Sequence, residues 1–364
     1  MKVKDITNYL ESLAPRAYQE SYDNSGLLTG EPSQEITGVL TTLDCTEEVV
    51  QEAIDRGMNM IVSHHPIIFK GLKKLTGSNY VERSVIKAIR NSIAIYAIHT
   101  NLDHVHTGVN KKIGEKIGLK NLHILVPKKE TLMKLVTFIP QEHTASVLAS
   151  LHEAGAGQIG KYKNCSFHVD GTGSFMPMEG ANPHIGQADQ QESVKETRTE
   201  VIFPSHLEDR IIGALKKNHP YEEVAYYLTR LENENQEVGS GMIGELEQPL
   251  EPIEFLRRLK SSMNLNTVRH TRLLDKKVKK VAICGGSGSF LLRQAISQGA
   301  DFLVTADFKY HEFFDGEGKI AVADIGHYES EVYTKELIVE ILTEKFPTFA
   351  VNFSTIDTNP VRYL

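Results

Sequence analysis

The sequence predicts an α/β protein: a pseudo-symmetric, two-lobed parent domain built from β-α-β repeats, carrying an inserted ferredoxin-like α+β domain. Three observations lead there. A β-α-β pattern stands near the start of the chain, a second stands near its end, and the segment between them has a different rhythm.

In the first pattern, Gly38-Val39-Leu40-Thr41-Thr42-Leu43 is β-rich, and Thr46-Glu47-Glu48 caps a helix carrying Val49, Val50, Ala53 and Ile54. Met58 to Val62 is apolar again, so strand, helix and strand follow one another as in a parallel sheet. Near the end, Val281 to Cys284 reads as a strand and Gly285-Gly286-Ser287-Gly288-Ser289 as a glycine turn. A helix through Leu291, Leu292 and Ile296 and a strand at Phe302 to Val304 complete the second pattern. Laid over each other, Val39 meets Val281, Ala53-Ile54 meets Ala295-Ile296, Gly57 meets Gly299 and Ser63 meets Thr305. Further on, Ile93-Ala94-Ile95 followed by His99 and Asp103 matches Ile320-Ala321-Val322 followed by His327 and Glu331.

The middle reads as a strand at Lys134 to Ile139, a helix at His143 to Gly155 and a polar, glycine-bearing stretch from Gly171 to Glu196. A strand at Arg198 to Phe203, a helix at Leu207 to Asn218 and a strand at Glu223 to Leu231 follow, which is a ferredoxin-like rhythm. The expected division is therefore residues 1–126 and 242–364 as the two halves of the parent domain, with residues 127–241 inserted between them.

Composition narrows the function classes. The 364 residues carry 40 Lys and Arg against 47 Asp and Glu, a net charge of −7, which gives no electrostatic ground for tight binding to nucleic acid or anionic lipid. Charges at Met1-Lys2-Val3-Lys4-Asp5 occupy the place where a signal peptide needs an apolar stretch, and no apolar run approaches the roughly 20 residues of a membrane span. A soluble cytoplasmic chain with no membrane partner is expected. Cys45, Cys165 and Cys284 are odd in number and widely spaced, arguing against a disulfide framework or a thiolate zinc site.

Most of the 15 histidines, among them His123, His143, His152, His168, His184, His206 and His270, stand alone and read as surface or packing residues. Three groups differ, because each follows an apolar strand, and ligands bind outside the carboxyl ends of strands in open parallel sheets. His64-His65-Pro66 follows Met60 to Val62, and adjacent residues of an extended chain point to opposite sides, so the pair suits two ions rather than one. His99-Thr100-Asn101-Leu102-Asp103 follows Ile93 to Ile98 and ends in a carboxylate, with His104 and His106 just beyond it. His327 follows Ile320 to Ile325 and, if Tyr328 opens a helix, shares a helix face with Glu331 four residues on. Against these stand the plainer readings of a polar loop and a charged helix cap. Together, His64, His65, Asp103, His327 and Glu331 are five ligands for two divalent ions about 3.5–4 Å apart, with a bridging carboxylate, as in two-metal hydrolases. Imidazole and carboxylate without thiolate suit Zn, Fe, Mn or Co.

Five motifs carry a resemblance: Asp23-Asn24-Ser25-Gly26-Leu27-Leu28, Ser63-His64-His65-Pro66, His99-Thr100-Asn101-Leu102-Asp103, Thr305-Ala306-Asp307 with Lys309-Tyr310-His311, and Gly326-His327-Tyr328 with Ser330-Glu331. In order and spacing they resemble the Nif-three-like family, whose members are often labelled GTP cyclohydrolase I type 2 homologues. The middle segment, with His219-Pro220-Tyr221-Glu222-Glu223, resembles the PII/CutA-like insert of its long bacterial members. The resemblance implies a dinuclear metal centre of two divalent ions per chain (Zn, Fe or Mn), and it assigns the same five ligands. It also implies a homohexameric, toroidal ring with the sites facing an internal cavity, and a purine nucleotide such as GTP as substrate. Tyr22 stands where the family commonly has Trp, and Ala306-Asp307 replaces its usual glycine-aspartate; neither change touches a ligand.

Asp307 and His311 are the candidate catalytic residues. Asp307 falls on His65 when the halves are overlaid, and either orients a ligand, works as an acid or base, or forms a salt link. The glycines at Gly285 to Ser289 either present backbone N–H groups to a phosphate or form a plain turn. A metal-dependent hydrolase is the first functional expectation. A metal-binding regulatory or metal-delivery protein is the second, and a phosphoesterase the third.

Overall fold

A computed structural model describes residues 1–364. The chain divides into two compact units, Met1–Pro127 with Glu237–Leu364, and Lys128–Gln236.

The first unit opens with α1 (Val3–Leu13), β1 (Gly26–Thr29), β2 (Val39–Thr42), α2 (Glu47–Asp55), β3 (Met60–Ser63), α3 (Tyr80–Arg90), β4 (Ala94–Ala97), α4 (Thr100–His104), α5 (Val109–Ile117) and β5 (Leu119–Lys128). The second unit contains β6 (Leu132–Pro140), α6 (Thr144–Glu153), β7 (Phe167–Phe175), β8 (Glu192–Pro204), α7 (Glu208–Asn218) and β9 (Tyr226–Leu231). The chain then runs through β10 (Asn235–Leu250), α8 (Pro252–Ser262), β11 (Arg269–His270), β12 (Val278–Ser287), α9 (Leu292–Ser297), β13 (Phe302–Ala306), β14 (Ala321–Asp324), α10 (His327–Glu331), α11 (Thr334–Lys345) and β15 (Val351–Phe353).

Two mixed sheets make the first unit. One has the order β1-β4-β3-β2-β15, the other β11-β14-β13-β12-β10-β5. Strands β2, β3 and β4 run parallel with Thr41 paired to Val62 and Val62 to Tyr96. Strands β12, β13 and β14 run parallel with Ile283 paired to Val304 and Val304 to Ala323. These strands lie between layers, so β3, β4 and β14 are buried at every position and read as continuous apolar runs rather than alternating ones. Their inner faces share one core: Val39, Met60 and Val62 from one sheet meet Ile283, Phe302 and Val304 from the other, with Leu10, Ile113, Phe255 and Ile338 from the helices. The outer faces pack Leu40, Ile61 and Ile95 against Val49 and Val85 of α2 and α3, and Ala282, Leu303 and Val322 against Leu292 and Ala295 of α9. Wholly buried side chains such as Ile61 and Leu303 each contribute about 1.5–3 kcal/mol.

Local chemistry sets the element ends. The Thr46 hydroxyl accepts from the Val49 N–H to start α2, and the Asn79 side chain accepts from the Glu82 N–H to start α3. Gly118, at φ +84°, closes α5 in the left-handed region.

The second unit is a four-stranded antiparallel sheet ordered β7-β8-β6-β9. Helices α6 and α7 bury Val147, Leu151, Ile211 and Leu215 against Leu135, Ile139, Val201 and Phe203. The polar stretch expected from Gly171 to Glu196 holds the second half of β7 and the start of β8 instead. Strand β7 is an edge strand, partnered only by β8 and exposed along most of its length, so it lacks the alternating burial by which a strand is recognised in sequence. No helix of the chain is long and apolar enough to cross a membrane.

Candidate metal centre

The parallel strands of the first sheet deliver polar side chains to one edge. Two residues past β2 stands Asp44, directly after β3 come His64 and His65, and two residues past β4 comes His99. The backbone continues the ladder into this edge, with the His64 N–H donating to Thr42 O and the Ile98 N–H donating to Ser63 O. From the second sheet, β12 ends in glycines, Asp307 follows β13, and His327 opens α10 after β14. Helix α4, immediately after His99, carries Asp103.

The five expected ligands converge. The His64 Nε2 lies 3.5 Å from Asp103 Oδ1 and 4.0 Å from Glu331 Oε1. The His65 Nε2 lies 3.0 Å from Glu331 Oε2, which is also 3.1 Å from His327 Nε2. The two oxygens of Glu331 therefore face different partners: Oε1 turns toward His64, Oε2 toward His65 and His327. One triad of ligand atoms is His64, Asp103 and Glu331, a second is His65, His327 and Glu331, and a third combines His64, His65 and His99. The adjacent imidazoles His64 and His65 enter different carboxylate triads, as the alternation of an extended chain requires.

Each imidazole is held by its other nitrogen. His64 Nδ1–H donates to Ile98 O at 2.8 Å, His65 Nδ1–H to Asp44 at 2.7 Å, His327 Nδ1–H to Asp307 at 2.7 Å and His99 Nδ1–H to Asp23 at 2.8 Å. Such partners fix the tautomer and aim Nε2, the arrangement second to direct ligation in importance for metal affinity. Asp23 itself is tied down, accepting from the Thr100 N–H and hydroxyl and from the Ser25 hydroxyl. Burial works to raise its pKa, but the His99 and Thr100 contacts prevail and hold it far below the usual carboxylate range. Asp307 sits at φ +58°, in the left-handed region that Asp tolerates better than most residues.

Burial and the neighbouring carboxylates set the charge of each imidazole. Burial keeps His64 neutral, its pKa down at about 3. Burial also opposes the charged form of His65, yet its contacts to Asp44 and Glu331 raise it to about 10. At His327, burial is likewise overcome by Glu331 and Asp307, which raise it to about 9. Burial and the neighbouring Glu331 push Asp103 well above the usual range, while hydrogen bonds from His327 and His65 draw Glu331 well below it against its own burial.

Two buried polar atoms here lack a hydrogen-bond partner, His64 Nε2 and Asp103 Oδ1. With His64 Nδ1–H donating and the ring neutral, Nε2 is a lone pair, and it faces Asp103 Oδ1 at 3.5 Å with no hydrogen bond between them. A divalent cation there would satisfy both atoms, and the nitrogen and oxygen donor set suits Zn, Fe or Mn. Cys284 borders the same cavity, but burial keeps it a thiol, and it donates to Gly285 O.

The cluster floors a cavity of about 590 Å³, with Tyr22, Phe69 and Phe290 among its walls. His104 lines it and pairs with Glu20 at 2.7 Å. Other expectations meet the structure differently. His311 is exposed on the turn after Asp307, its ring against Tyr310, and is absent from the cavity wall. The N–H groups of Gly285 and Gly286, offered above to a phosphate, are instead taken by Asn110 Oδ1 and Ser330 Oγ at 2.9 Å each. Gly285 and Gly286 also belong to β12 rather than to a turn. Sequence reasoning gave no role to Asp44, Asp23 or His99. The available signal was their place just past strand ends and, for Asp23 and His99, within two of the recurring motifs.

Known proteins resemble this chain along its whole length. A family model described as Duf34/NIF3 (NGG1p interacting factor 3) matches residues 1–360. A Staphylococcus aureus (strain MSSA476) protein named GTP cyclohydrolase 1 type 2 homolog is 38% identical over 369 residues, covering 100% of both chains. A Bacillus subtilis (strain 168) protein of the same name is 38% identical over 367 residues, covering 99% of this chain and 98% of that one. The crystal structure of a Bacillus cereus protein related to NIF3 superposes with a TM-score of 0.88 at 37% identity, covering 100% of this chain and 99% of that one.

Proposed function

Since the chain belongs to the Duf34/NIF3 family, we propose that it is a dinuclear metal-dependent hydrolase acting in the cavity above Glu331. The observation that carries this reading is the division of Glu331, with one carboxylate oxygen toward His64 and the other toward His65 and His327. In this reading His64 and Asp103 would hold one divalent ion and His65 and His327 the other, with Glu331 available to both. Bound there, the pair would supply Lewis acidity and a water acidified toward neutrality.

The remaining steps belong to the chain itself. Asp44 and Asp307 keep the Nε2 atoms of His65 and His327 aimed inward, and Asp307 thereby acts through His327 rather than on the substrate. Tyr22 and Phe69, with ring centroids 6.3 Å apart, line one side of the cavity with aromatic surface. The relatives' name points to a purine nucleotide as the substrate class, and a cavity of about 590 Å³ is large enough for one. We further read residues 128–236 as an inserted ferredoxin-like domain, supported by the order β7-β8-β6-β9 with both helices on one face. We also propose a homohexameric ring, as the family resemblance implies.

Metal analysis of the purified protein and of Glu331→Ala, with GTP and a phosphodiester panel assayed on the same samples, tests the proposal. Two ions per chain, lost in the variant together with turnover, are expected. Two ions without turnover on any substrate would replace the hydrolase with metal regulation or delivery, and a metal-free protein would overturn the centre itself.

A further inference from the structure

A second group of ligating side chains stands apart from the centre described above, in the other unit. Ligand atoms of Glu142, His143 and His184 lie within 4.8 Å of one another. Glu142 and His143 sit on the short turn ahead of α6, and His184 lies in the segment 176–191 that joins β7 to β8. The two imidazoles meet edge to face with centroids 5.6 Å apart. The nearest charged partner of His143 is Glu142, whose Oε1 is 3.8 Å from Nε2.

We propose that Glu142, His143 and His184 form a separate, exchangeable site for a divalent transition-metal ion of the Zn²⁺ class. Two imidazole nitrogens and one carboxylate oxygen are the donors such ions favour, and hard ions such as Ca²⁺ and Mg²⁺ disfavour imidazole. Metal bonds of about 2.1 Å need ligand atoms about 3.4 Å apart in a tetrahedron, which small rotations of these accessible side chains achieve from the present spacing. Because the ligands come from two segments, occupancy cross-links the 176–191 segment to the start of α6. That segment contributes Met176, Met178 and His184 to the wall of a cavity of about 880 Å³, which Phe138, Arg198 and Tyr227 also line. Metal binding therefore clamps one wall of this cavity. The site rests on none of the residues around Glu331, so it stands or falls independently of the hydrolase reading.

The test uses the full chain carrying its resident metal. After dialysis, Zn²⁺ is titrated calorimetrically into the wild type, His143→Ala, His184→Ala and Glu331→Gln. In parallel, a glutamate-specific protease reports cleavage at Glu179, within the 176–191 segment. One added Zn²⁺ per chain is expected in the wild type, bound at least about tenfold more weakly in each histidine variant, since loss of a direct ligand outweighs loss of an outer partner. Glu331→Gln should retain this binding event, and Zn²⁺ should protect Glu179 in the wild type and in Glu331→Gln but in neither histidine variant. Equal Zn²⁺ uptake by the wild type and both histidine variants would overturn the site, and uptake without protection of Glu179 would overturn the clamp.

Discussion

Gly286 offers a sharp test of how the centre is built. It lies at φ +61°, and a Cβ placed there would stand 2.4 Å from Glu331 Oε1 and 3.3 Å from His327 Cε1. Gly286→Ala therefore has two effects. The left-handed backbone costs an L side chain about 1–2 kcal/mol, which corresponds to a fall of roughly 2–4 °C in Tm for each kcal/mol. The methyl group also forces Oε1 to move, and the buried Glu331 has little freedom because Oε2 is held by His65 and His327. The oxygen facing His64 is the one displaced, so affinity for the ion assigned to His64 and Asp103 should drop about 10–100-fold, the range seen when a ligand's support is lost. Gly299→Ala separates the two effects. Its φ of +72° carries the same backbone cost, but nothing lies within 4 Å of the added Cβ. Both variants should lose similar thermal stability, and only Gly286→Ala should lose metal in competition with a chromophoric chelator. Equal metal affinity in the two variants would refute the placement of Oε1 as a ligand position.

Two other outcomes follow from carboxylates held by hydrogen bonds, one pair at the centre and one outside it. Asp44→Asn and Asp307→Asn each remove the charge that holds an imidazole, and chelator competition should show a loss of about 10–100-fold in metal affinity, larger for Asp44, which is the less exposed of the two. Glu82 accepts from the N–H groups of Thr76 and Ser78 and from both hydroxyls, and these contacts draw its pKa down to about 2. A carboxylate lowered in the folded state adds stability that is present above its ordinary value of 4.5 and is lost as pH falls toward 2. Glu82→Gln should flatten that acid limb of the unfolding midpoint measured by circular dichroism. It should also speed proteolysis of residues 66–79, the segment leading from the histidine pair to α3.

Part of the centre was legible because parallel strands buried on both faces have a plain signature: an apolar run that stops abruptly at polar residues. His64, His65, His327 and the short helix holding Asp103 stand at such stops, and the spacing of four from His327 to Glu331 puts both on one side of a helical turn. Strand β7 was illegible for the opposite reason, since an exposed edge strand buries too little to impose alternation. Asp23, Asp44 and His99 also sit at strand ends or in recurring motifs, but nothing local distinguishes a carboxylate that accepts from an imidazole from one that faces water.

By itself, the sequence determined the polar stops, the ligand chemistry they carry and the β-α-β rhythm at both ends of the chain. Tertiary structure decided which of these stops meet. His65 and Glu331 are 266 positions apart yet share a contact of 3.0 Å, and the division of the Glu331 oxygens exists only once two sheets close around one core. It also decided that Gly286 makes room for a carboxylate and gives its N–H to Ser330 rather than to a phosphate. The physical reason is that periodicity records which face of an element is buried and where it ends. The direction of a lone pair depends on partners that the chain brings near only by folding.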